Sequence, residues 1–149
     1  MNTAAEILRQ KSTAFNYVHP HYNALEAIRL LSSLNRSFLV VMEEGAYKGI
    51  FTEHAFVQKM ATPGWQAADK TVAEIMDTKL PAASMDSTRQ EMMQLMILHH
   101  TRYLPVFDGY RFARVISMNN LLKAMLSPAL SLDDFFASPR HDFDTALQG

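Results

Sequence analysis

The sequence predicts a mixed α/β fold made from two copies of one unit, and three observations carry that prediction. First, residue types recur 65 positions apart: Glu26 with Glu91, Leu30 with Leu95, Phe38 with Tyr103, Leu39 with Leu104, Val41 with Val106, Thr52 with Ser117 and Met60 with Met125. Few of these pairs are identical, yet apolar faces apolar almost throughout, as in a repeat held by packing. Second, each copy contains an apolar run, a turn and a returning run, the pattern of a buried hairpin. Third, each hairpin is flanked by segments of helical periodicity. Two such copies can pack face to face and leave paired clefts between them, which is where function is sought.

Taken in order, Thr3–Leu8 and Thr71–Met76 echo one another at a spacing of 68. Each opens on threonine with Glu three residues on, a capping-box signature, and is expected to be a short helix. The segment Ser12–Pro20 is expected to be a loop with a short strand at most. From Asn23 to Asn35, the residues Ala24, Ala27, Ile28, Leu31 and Leu34 share one helical face. The counterpart, Thr88 to Thr101, carries Met92, Met93, Leu95, Met96 and Leu98. Phe38–Met42 is a continuous apolar run, expected of a strand buried on both faces. Glu43-Glu44-Gly45 turns it, and Tyr47–Phe51 returns. Tyr103–Phe107, the Asp108-Gly109 turn and 112–116 repeat this hairpin. Helices are expected at Glu53–Met60 and Met118–Leu126. The division that follows is residues 1–62 for the first repeat with its leading helix, 63–70 for a linker, 71–126 for the second repeat and 127–149 for a tail, all within one structural unit. In the tail, 131–136 reads as a short capped helix, and Phe135, Phe136 and Phe143 are expected to pack on the clefts or on a neighbouring subunit.

Bulk properties exclude several classes of function. The net charge of −1, with no lysine or arginine cluster, gives no electrostatic basis for binding nucleic acid or a membrane surface. Cysteine is absent, which removes disulfides, thiolate metal sites and thiol nucleophiles. No apolar run reaches the ~18 residues of a membrane span. The first residues are mixed and helical rather than signal-like, and a soluble cytoplasmic protein is expected.

The runs Val72-Ala73-Glu74-Ile75-Met76, Leu104-Pro105-Val106, Val115-Ile116-Ser117 and Leu121-Leu122-Lys123-Ala124 resemble a cystathionine β-synthase (CBS) domain. Leu39-Val40-Val41 and Gly49-Ile50-Phe51-Thr52-Glu53 resemble its partner copy. Together, from Thr3 to about Leu126, the chain resembles a small stand-alone CBS pair, a Bateman module. The resemblance implies a β-α-β-β-α unit in each copy, sheets packed together, and a homodimer. It also implies a regulatory, non-catalytic role toward another protein, with AMP, ADP, ATP, NAD(H) or S-adenosylmethionine bound in the inter-repeat clefts.

The family signature, Gly-x-x-Thr/Ser-x-x-Asp, spans a strand end and a helix start. The hydroxyl and helix N-terminus suit a phosphate, and the Asp accepts from ribose hydroxyls. The first copy has Gly49 and Thr52 but Ala55 in the Asp position, and an alanine side chain accepts nothing; His54 beside it could meet phosphate when protonated. The second copy has Arg114, Ser117 and Asn120, whose amide retains an acceptor oxygen. Arg102, just before Tyr103, matches a cleft-edge position where basic groups reach phosphate. The candidate ligand residues are therefore Ser117, Asn120 and Arg102, followed by Thr52 and His54.

Thr52 and Ser117 have a second reading, as N-caps alone for the helices they precede, a use that needs no ligand. Met92, Met93 and Met96 at helical spacing read as core. His99-His100 and His19-Pro20-His21 lack a third ligand and a zinc spacing, so no metal is expected. Trp65 and the tail phenylalanines read as packing within the dimer, with exposed anchors for a partner as the alternative. No phosphate loop, nucleophile elbow or paired-carboxylate spacing supports catalysis. Losing the Asp from both copies leaves an alternative function: a ligand-free pair acting as a dimerisation or docking unit.

Overall fold

The computed structural model describes residues 2–11 and 15–126. The expected short helix at 131–136 and the tail residues Phe135, Phe136 and Phe143 lie outside the described residues.

Local sequence sets the helix ends. Asn23 accepts the Glu26 amide and opens α2 (Ala24–Leu34), after α1 (Ala4–Arg9) and the two-residue strand β1 (Tyr17–Val18). The helix ends at Asn35, which takes the left-handed conformation with φ 54°, a turn that asparagine tolerates. Strands β2 (Phe38–Glu43) and β3 (Ala46–Thr52) follow as an antiparallel hairpin, and Thr52 caps α3 (Glu53–Met60). The second copy repeats this with β4 (Ala83–Ser84), α4 (Arg89–Leu98), β5 (Tyr103–Asp108), β6 (Arg111–Ser117) and α5 (Met118–Leu126). Each copy forms a three-stranded sheet in the order β1-β2-β3 or β4-β5-β6, with a parallel first pair and an antiparallel second pair. The repeat extends to irregularities: register shifts fall between Val41 and Met42 and between Val106 and Phe107. The expected helix at Thr71–Met76 is instead a three-residue 3-10 turn, Val72–Glu74.

The chain packs as two units, and they do not follow the division read from the sequence. One runs from Phe15 to Lys79; the other joins the described residues up to Lys11 with those from Leu80 onward. Each leading segment therefore packs on the other repeat: Thr3–Arg9 on the second, Thr71–Asp77 on the first. The leading helix, expected with residues 1–62, thus joins the unit of the second repeat. Backbone pairing explains the exchange. Thr3 bridges Thr88, Ala4 and Ala5 donate to Ser87 and Met85, and Arg89 donates to Asn2. In the other unit Asn23 bridges Thr71, Val72 and Ala73 donate to Tyr22 and Pro20, and Ala24 donates to Lys70. Among these bonds, those of Ala24 and Arg89 satisfy amides at the starts of α2 and α4 that have no intrahelical partner, and the others do the same for the leading segments.

Each unit has its own core. Val18, Ala24, Ala27, Leu31, Leu39, Val41, Phe51 and Phe56 close around Val72 and Ile75. Met92, Met96, Leu104, Val106, Ile116 and Leu121 close around Ala4 and Ile7. Burying a side chain such as Leu31 or Leu104 contributes about 1.5–3 kcal/mol, so the borrowed Ile7 and Ile75 matter to cores this small. Met92 and Met96 are core, as their spacing predicts. Trp65 packs edge-to-face on Phe56 within its own unit, 5.5 Å between ring centroids. No helix among the described residues is long and apolar enough to cross a membrane.

Candidate functional site

The strand-to-helix junctions named by the sequence, β3–α3 and β6–α5, are built alike. Glu53 at the start of α3 donates to the Ser37 carbonyl, and Met118 at the start of α5 donates to the Arg102 carbonyl. Each helix thus starts against the residue that leads into the neighbouring strand of its sheet. Thr52 accepts the Ala55 amide at 3.0 Å, and Ser117 accepts the Asn120 amide at 3.2 Å. Both hydroxyls are N-caps, as their positions suggested.

The junctions differ in what returns to the cap. Ala55 has nothing to offer, so the first junction ends there, with Thr52 half-buried and His54 exposed. In the second, Asn120 Oδ1 accepts the Ser117 amide at 2.8 Å and the Ser117 hydroxyl at 3.0 Å. This is a reciprocal capping arrangement with asparagine in the place of glutamate. Ser117 is the buried polar residue among the described residues.

A third donor reaches the same oxygen. Lys11 Nζ lies 3.1 Å from Asn120 Oδ1 and 3.2 Å from the Val115 carbonyl. A backbone amide and an ammonium can only donate, so the Asn120 atom facing them must be its oxygen. The structure therefore brings Ser117 and Asn120 together and adds Lys11, which the sequence reading missed. It places the Arg102 backbone at the start of α5 with the side chain exposed to solvent. Thr52 and His54 belong to the other unit. The acceptor expected to serve ribose is here occupied by protein donors.

Gly49 and Arg114 account for Lys11. At Gly49 the 70s segment comes so close that an added Cβ would sit 2.7 Å from the Asp77 carbonyl oxygen. The close approach lets Ile50 and Asp77 exchange two backbone hydrogen bonds, of 3.1 and 2.8 Å. Arg114, the counterpart of Gly49, carries a Cβ. At Val115, the counterpart of Ile50, the carbonyl is instead met by the Lys11 ammonium at the end of a long side chain. The exchange also leaves a mark on Tyr47. Burial, and then the Asp77 carboxylate, push its phenol well above the usual range.

The fold and these paired junctions define a tandem CBS module. The CBS domain family matches the chain twice, over residues 3–62 and 72–127, and the chain belongs to that family. It is similar to the CBS domain-containing protein YhcV of Bacillus subtilis (strain 168), with 26% identity over 110 residues, covering 74% of this chain and 78% of the relative. A putative signal-transduction protein with CBS domains from Burkholderia ambifaria MC40-6 superposes with a TM-score of 0.80 at 27% identity, over 87% of this chain and 98% of that one. The CBS-domain structure NE2398 superposes with a TM-score of 0.79 at 26% identity, over 85% of this chain and all of that one.

Proposed function

We propose that this protein is a regulatory module that takes an adenosine nucleotide at the β6–α5 junction of its second repeat. The observation that carries the reading is the meeting of Ser117, Asn120 and the Lys11 ammonium at one helix start, with Arg102 contributing its backbone carbonyl to that start and an exposed cationic side chain beside it in sequence. Hydroxyl and amide groups suit a ribose, and cations beside a helix N-terminus suit phosphate. The first junction, with Ala55 and Ser37 in the corresponding places, offers less of each. Proteins that share the fold support the ligand class. CBSX2 was solved with AMP, at 14% identity and a TM-score of 0.73. The CBS pair of MJ0100 was solved with 5′-methylthioadenosine and S-adenosylmethionine, at 21% identity and a TM-score of 0.70. ATP, ADP and NAD(H) fall in the same class.

Calorimetry of the full chain with AMP, ADP, ATP, NADH and S-adenosylmethionine tests the proposal. At least one phosphate-bearing ligand is expected to bind, and Arg102→Ala should weaken it about tenfold, the loss of one charge-assisted contact. Absence of heat and of any thermal shift at millimolar ligand would overturn it.

A second reading, a ligand-free dimerisation or docking unit, is favoured by one observation. Val57 and Met60 on α3 are 61% and 57% exposed, and their counterparts on α5, Leu122 and Met125, are 43% and 48% exposed. In that reading the homodimer persists unchanged while no nucleotide alters the melting temperature.

A further inference from the structure

Lys11 lies 104 positions from Val115 and 109 from Asn120, yet its ammonium bonds to both. The Asn120 oxygen has two lone pairs and already receives the Ser117 amide and hydroxyl. The two Ser117 bonds are local: they close the cap, and breaking them would expose the α5 start. The Lys11 bond is the long-range one, and it comes from a segment held to the unit by the Thr3–Thr88 bridge and the Ala4 and Ala5 amides. A ribose hydroxyl that donates to Asn120 has to replace one of these three donors, and the Lys11 ammonium is the one that can leave without opening the cap.

We propose that Lys11 gates the nucleoside position: its ammonium occupies the place on Asn120 Oδ1 that a ribose hydroxyl would take, so nucleoside binding and attachment of the Lys11 end of the leading segment exclude one another. This rests on the adenosine reading of the same junction and adds a consequence to it. Ligand occupancy becomes coupled to release of residues 7–11, because the ligand favours the state in which Lys11 has left Asn120. The cost of displacing Lys11 is drawn from the binding free energy, so the intact chain binds a nucleoside more weakly than the junction alone would.

Adenosine, which lacks phosphate, isolates this effect from attraction of the ligand to Lys11. Lys11→Met keeps the aliphatic stem and removes the donor, and Lys11→Gln gives an uncharged second variant. Both should bind adenosine about tenfold more tightly than the unaltered chain, the equivalent of one charge-assisted hydrogen bond released. In the unaltered chain, adenosine should speed amide exchange across residues 7–11, and in Lys11→Met that segment should exchange fast without ligand. Equal or weaker adenosine binding by both variants would overturn the gate. If AMP still binds the unaltered chain and Ser117→Ala removes that binding, the adenosine reading survives that loss. If no protein binds AMP or adenosine, both fall.

Discussion

At Asn120 one side-chain oxygen serves both as the return half of a helix cap and as the anchor for a lysine from the far end of the chain. Aspartate at this position would keep the first role and strengthen the second. Its carboxylate would accept the Ser117 amide and form an ion pair with the half-buried Lys11. Asn120→Asp is therefore expected to stabilise the protein by about 1 kcal/mol. The gain, read as a shift in the denaturation midpoint, should vanish in a Lys11→Met background; a gain that persists there would show that Lys11 is not the partner. The positions of Ser117 and Asn120 were legible from repeat arithmetic, because the 65-residue spacing carries Thr52 and Ala55 onto them. Lys11 was not. Its partner depends on which repeat the leading segment joins, and side-chain patterning is silent on that because either core would accept Ile7.

Among the elements, the long helices and hairpins were readable because they span enough residues to show a period. The two-residue strand β1 lies within Ser12–Pro20, where a short strand at most was expected, whereas β4 was not readable from patterning, since two residues cannot display an alternation. Their pairing with β2 and β5 is a tertiary choice. Of the two threonine–glutamate signatures in the leading segments, Thr3 caps α1 by accepting the Glu6 amide, Thr71 closes a capping box on a 3-10 turn, and a further box stands at Thr88. Thr88 donates its amide to Glu91 at 2.8 Å and Thr71 does the same to Glu74 at 2.8 Å. These amides, with smaller help from the threonine side chains, hold both carboxyls below their usual range. A carboxyl depressed in the folded state adds stability above its unfolded pKa, and that stability is lost as pH falls through the folded value. Glu91→Gln should therefore flatten part of the acid loss of stability while leaving Glu74 to supply its share. Urea midpoints from about pH 6 down to about pH 3 measure this. An acid limb unchanged by the substitution would remove Glu91 from the account.

For the molecule as a whole, the two repeats are successive in sequence but exchanged at their leading segments. The unit from Phe15 to Lys79 is one continuous stretch of chain that contains Val72, Ile75 and the Ile50–Asp77 pairing. A fragment cut at the sequence boundary, residues 1–62, lacks all three and keeps a leading helix with nothing to pack on. The 15–79 fragment is expected to show more helical circular dichroism and more amide protection than the 1–62 fragment. The reverse order would mean that Val72 and Ile75 do not complete the first core. Repeat length was thus readable from pattern, whereas the pairing of leader with core was set by backbone hydrogen bonds that leave no trace in residue type.

The exchange also imposes an order on biosynthesis. Lys11 leaves the ribosome 104 residues ahead of the carbonyl it will meet, a delay of about 5 to 20 seconds at ordinary translation speeds of roughly 5–20 residues per second. By then the stretch ending at Lys79 has emerged complete and can condense on its own. The opening helix, by contrast, finds its first backbone partners only after Lys79, at Met85 to Arg89, and its core is complete only when the last hairpin arrives.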